Sequence, residues 1–97
     1  MSRDGSILQT FGGHSGPRPQ QLDRPLHLAI DPPAGLLYVL DSGNKCLKVL
    51  NASSLELVDV ILSTELANVD PRRIYLDTER RRLAVAVEDG RVFLFEC

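Results

Sequence analysis

Apolar residues come along this chain in short runs rich in Val, Ile, Leu and aromatics, each ended by Gly, Pro, Asn or Asp, which is the pattern of strands and tight turns. The runs predict eight strands: Ser6–Phe11, Leu26–Ile30, Leu36–Leu40, Cys46–Leu50, Leu57–Leu62, Arg73–Leu76, Leu83–Val87 and Arg91–Phe95. Helix competes poorly, because the runs are short and β-branched, and Pro25, Pro32, Pro33 and Pro71 interrupt the chain. The exception is Ser63–Val69, where the pattern allows a turn of helix.

An internal repeat orders these strands. A shift of about 46 positions lays Pro25–Asp31 over Pro71–Asp77, and in the same register Leu37 meets Leu83 and Val39 meets Val85. Asp41-Ser-Gly-Asn44 turns the chain in the first unit, and Glu88-Asp-Gly90, one residue shorter, does so in the second. Four strands in a period of this length predict an all-β fold, a β-propeller fragment of two four-stranded antiparallel blades. The whole of 1–97 reads as one segment: an outer strand over 6–11, blade one over 25–62 and blade two over 71–97. Blade two lacks an outer strand and the chain begins with a spare one, so the N-terminal strand is expected to close the last blade and cover its edge.

Two blades make a wedge with an apolar sheet face on each outer flank. At roughly 25 cal/mol per Å2, several hundred Å2 of such surface in water costs of the order of 10 kcal/mol, comparable to the stability of a small domain. The expected remedy is self-association, most simply a homotrimer that closes a six-bladed ring.

Composition narrows the class further. With 97 residues, 43% hydrophobic and 25% charged, one globular unit is expected, and a net charge of −2 gives no general attraction to nucleic acid or membrane. No leader pattern or membrane span is legible, so the expected compartment is the cytoplasm. Cys46 and Cys97 carry no CxxC or His-rich company, so neither a disulfide framework nor a metal site is expected. Asn51-Ala-Ser53 fits the glycosylation sequon, which a cytoplasmic chain would not use.

Asp4-Gly-Ser-Ile-Leu-Gln-Thr-Phe-Gly-Gly13, Gln21-Leu-Asp-Arg-Pro25, Leu28-Ala-Ile-Asp31, Leu37-Tyr-Val-Leu-Asp-Ser-Gly-Asn44 and Leu47-Lys-Val-Leu50 together resemble the NHL repeat. The resemblance runs from Asp4 to Asn51. The second unit keeps Pro71, Asp77 and the strand rhythm, but has Val87 where the first has Asp41. It implies an NHL-like propeller, usually of six blades and often the C-terminal end of a tripartite-motif ubiquitin ligase. This chain would then supply the last two blades and recruit protein substrates through its loops, without catalysing anything itself.

The candidate chemistry agrees with that. His14, in Gly12-Gly-His-Ser-Gly16, lacks the Lys-Ser/Thr ending and helix of a phosphate loop and reads as a turn. No Ser, His and acid converge by spacing, and Asp31 and Asp77 are explained by the repeat as turn residues. No cofactor is expected. His27, on an innermost strand, is a candidate for a channel-lining ligand group. Residues 25–70 hold two Lys against six acids, whereas 71–97 hold six Arg against five. Arg72 and Arg73 enter a strand while Arg80, Arg81 and Arg82 crowd its following turn, so the two groups are expected at opposite ends of the blade. A basic rim of this kind makes RNA the alternative partner, since some NHL propellers bind RNA on a positive face. A purely structural, self-assembling fragment is the third reading.

Overall fold

The computed structural model describes residues 5–13 and 15–97; the turn predicted around His14 falls at a residue outside them. Seven strands form: β1 (Pro25–Asp31), β2 (Leu36–Asp41), β3 (Cys46–Asn51), β4 (Leu57–Ile61), β5 (Pro71–Asp77), β6 (Arg82–Val87) and β7 (Val92–Glu96). They make two antiparallel sheets of sequential neighbours, β1-β2-β3-β4 and β5-β6-β7. Sheets that are stacked face to face, each built from one repeat, are two consecutive blades of a propeller.

The repeat reappears in the registers. Pro25 pairs with Asp41 and Pro71 with Val87, and both pairings slip by a bulge one residue later. Ala29 pairs with Tyr38 at the place where Tyr75 pairs with Ala84. Between the sheets lies one core, in which Tyr38, Leu40, Leu47 and Val49 of blade one meet Ile74, Leu83, Val85 and Val87 of blade two. Phe93 and Phe95 complete it from β7. The alternation of β6, with Leu83, Val85 and Val87 buried and Arg82 exposed, is what one covered face demands.

The predicted turn of helix is α1 (Thr64–Ala67), in the link between blades. Ser63 caps it, accepting a hydrogen bond from the Glu65 N–H at 3.2 Å, and Leu66 is driven fully into the inter-blade core.

The eighth predicted strand does not form within the chain. Residues 5–13 hold no regular structure, and Ile7 and Leu8 are 80% and 71% exposed. Blade two therefore has three strands here, and β7 keeps a free edge. Phe11, at the end of that predicted strand, instead lines a cavity with Leu22, Leu28 and Val39 on the flank of blade one that faces away from blade two.

Candidate functional site

The end of the stack where β1 and β5 begin is organised around a buried ion pair. Asp41 closes β2, Lys48 sits midway along β3, and both are almost wholly buried, with Lys48 Nζ 2.8 Å from Asp41 Oδ2. The cost of taking two charges so far from water is offset only by close pairing and by further hydrogen bonds to the pair. Asp41 Oδ1 accepts the Asp23 N–H at 2.7 Å and Oδ2 accepts from Asn44 Nδ2 at 2.8 Å. The Lys48 ammonium also donates to the carbonyls of Arg18, at 3.2 Å, and of Gln21. Asn44 reaches on to the Gly16 carbonyl at 2.8 Å. Asp41, Asn44 and Lys48 thus staple the linker of residues 15–23 onto blade one. Gly43 is required there: a Cβ would run into the carboxylate of Asp23, whose carbonyl accepts the Gly43 N–H at 2.7 Å.

The opposite end carries the turns that follow β1 and β5. Asp77 does what the sequence suggested, accepting from the Arg80 N–H at 3.2 Å. Its repeat mate Asp31 does not. It is fully buried, and its Oδ2 lies 2.6 Å from Arg81 Nη1 of the other blade, an ion pair across the seam. That contact raises the Arg81 guanidinium above its ordinary pKa. Beside it, burial, aided by a hydrogen bond to Cys97, pushes the Tyr38 phenol up.

The six residues singled out from sequence are thereby dispersed. Arg72 is held between Asp70 and Glu88, at 3.0 Å from each, Arg80 lies 2.9 Å from Asp77, and Arg81 belongs to the seam. Arg73 and Arg82 are exposed and form no ion pair among the described residues, but they stand on opposite ends of the blade. His27 is built into the fold: its Nδ1 accepts the Ile74 N–H at 3.0 Å, clasping the two innermost strands together. That nitrogen must be unprotonated and is already engaged, so only Nε2 is left for any ligand.

Reactive chemistry is correspondingly sparse. Burial pushes the Cys46 thiol up, and the Asp41 charge 3.9 Å away adds to it, keeping the sulfur in its neutral, unreactive form. Among the described residues no three His, Cys, Asp or Glu side chains gather as a metal site requires. None of their helices is long and apolar enough to cross a membrane.

Sequence reasoning missed the staple. Its signal is Lys48 alone in the apolar run Cys46–Leu50, at a position whose cross-strand neighbour Val39 is buried.

The described residues offer charged turns at the two ends of the sheet stack and exposed apolar side chains on its flanks, surfaces suited to contact rather than to catalysis. Residues 22–50, comprising the stapled linker end and β1–β3, match the NHL repeat family. NHL repeats are typically non-catalytic and mediate protein–protein contacts. No curated protein matches the chain.

Proposed function

We propose that this chain is the substrate-recruiting part of a tripartite-motif ubiquitin ligase, acting in the cytoplasm and itself free of catalysis. The observation that carries the reading is the NHL match over residues 22–50, set in a stack whose two ends display charged turns. Both cysteines are free thiols, in keeping with a reducing compartment. The open flanks are accounted for by a six-bladed ring, made from three copies of the chain. Fused to a heterologous RING domain, the chain should direct ubiquitin to the same proteins that cross-link to it. Cross-linked partners that never receive ubiquitin would refute the ligase reading.

A second reading rests on Arg73 and Tyr75, neighbours on one face of β5, with Tyr75 71% exposed. A guanidinium beside an open aromatic ring suits the stacking of an RNA base. RNA binding should then weaken steeply with salt and fail when Arg73 and Tyr75 are changed to Glu and Ser. An affinity indifferent to both would remove RNA and leave protein recognition.

A further inference from the structure

His27 and Arg73 occupy one position of the repeat. His27 pairs with Leu40 and Arg73 with Ala86, each directly after the bulge that opens its strand. They therefore stand at the same level on the first strands of adjacent blades, the strands that border the axis of a propeller. The fold leaves each with a donor to offer. His27 Nδ1 accepts the Ile74 N–H at 3.0 Å, so the neutral ring carries its proton on Nε2. Arg73 is exposed and forms no ion pair among the described residues, whereas its neighbour Arg72 is held between Asp70 and Glu88.

Both residues line one cavity of about 380 Å3, which runs from the inner edge of β5 onto the face of blade two that carries Tyr75. Its depth comes from a change of residue size between the repeats: where blade one has Tyr38 and Leu40, blade two has Ala84 and Ala86. Tyr75, 71% exposed, and Val92 add apolar walls. None of the described residues that line the cavity is acidic. Its polar end thus offers donors and positive charge beside an apolar hollow, a combination typical of sites for small ligand groups. A further blade set against that face would wall the hollow and leave the inner edge, with both donors, toward the axis.

We infer that this cavity binds the C-terminal carboxylate of a partner peptide, with an apolar last side chain seated over Ala84 and Ala86 against Tyr75. A carboxylate can accept from the forked guanidinium of Arg73 and from His27 Nε2 together, and no acid in the cavity repels it. An Asp or Glu inside a chain brings the charge without the apolar group. At a chain end, carboxylate and side chain branch from one Cα, which matches donors and hollow that lie side by side. This deepens the protein-recruiting reading by naming the part of the partner that is held, and it rests on that reading.

Fluorescence anisotropy on the full chain tests it with labelled peptides of one sequence: ending in Phe with a free carboxylate, the same peptide amidated, and one ending in Gly with a free carboxylate. The first should bind, and the other two at least about tenfold more weakly, since one loses the charge and the other the buried ring. Arg73→Gln removes the cation and Ala86→Leu fills the hollow, so each should weaken the first peptide by at least about tenfold. Arg73→Gln should also bring the acid and the amide level. Far-UV circular dichroism reports whether the variants fold; if Ala86→Leu does not, Ala86→Val takes its place. Acid and amide that bind alike, an Arg73→Gln chain that binds like the wild type, or no binding of any peptide would overturn the inference. So would RNA held at Arg73 while the peptides are not. Partners that still cross-link in full to the Arg73→Gln chain would sink this inference alone. Carboxylate binding that survives while no cross-linked partner receives ubiquitin would sink the ligase reading alone.

Discussion

Replacing Lys48 by Met removes one charge and three contacts from the interior at almost constant shape. The Asp41 carboxylate, wholly buried, would keep its hydrogen bonds from Asp23 and Asn44 but lose its counter-charge, 2.8 Å away. The carbonyls of Arg18 and Gln21 would lose the same donor. Breaking one side of a buried pair typically costs about 3–5 kcal/mol. For a domain of this size each kcal/mol moves Tm by roughly 4–8 °C, so a fall of the order of 20 °C is expected. Changing Asp41 to Asn as well removes the stranded charge while leaving an acceptor for the Asp23 N–H, so the double variant should recover at least about 2 kcal/mol of that loss. Urea unfolding followed by circular dichroism, at one fixed protein concentration, measures all corners of the cycle. Hydrogen exchange should show the Gly16 and Asp23 amides opening first in the single variant. A single variant that loses less than about 1 kcal/mol, or a double variant no better than the single, would refute the staple.

Three further outcomes are expected. Leu83→Ala, in the middle of the inter-blade core and fully buried, should cost about 2–5 kcal/mol by urea titration, with no repacking from the sheet edge to fill the cavity. A thiol reagent should modify Cys97, which is exposed, at once and Cys46 only as fast as the chain unfolds, so two rapid labels by mass spectrometry would contradict the packing. Asp70, Asp77 and Asp89 are held below their ordinary pKa by hydrogen bonds with Glu88, Arg80 and Arg91 respectively. A depressed carboxylate contributes stability that is complete above its unfolded value and lost as pH falls through the folded one. Their share of the stability should therefore hold down to about pH 4 and fall below it, and replacing Arg80 and Arg91 by Gln should flatten that acid limb.

The strand pattern was legible because burial imposes it. Cys46–Leu50 and Leu83–Val87 were readable to within a residue, since each is a run with a covered face, and the turn of helix expected within Ser63–Val69 forms at Thr64–Ala67. Ser6–Phe11 has the same look, yet pairing needs a neighbour within reach, and local pattern says nothing about where the free edge stands. The arginine block misled in a related way. Along the chain Arg80, Arg81 and Arg82 are adjacent charges; folded, Arg80 answers Asp77, Arg81 answers Asp31 from the other blade, and Arg82 forms no ion pair among the described residues. Lys48 entered only as one of two Lys in a count of charges, and a one-dimensional count cannot see that a linker lies over it.

That linker also fixes the order in which the two units can follow one another. Where blade one holds Asp41 and Lys48, blade two holds Val87 and Phe93, so one unit accepts a strap of bare carbonyls and the other accepts hydrocarbon. Exchanging the units would set a carboxylate and an ammonium into the apolar core that Leu66, Val87 and Phe93 share. Such a chain has a grammar: its words are alike, but transposing them would leave a sentence that does not fold.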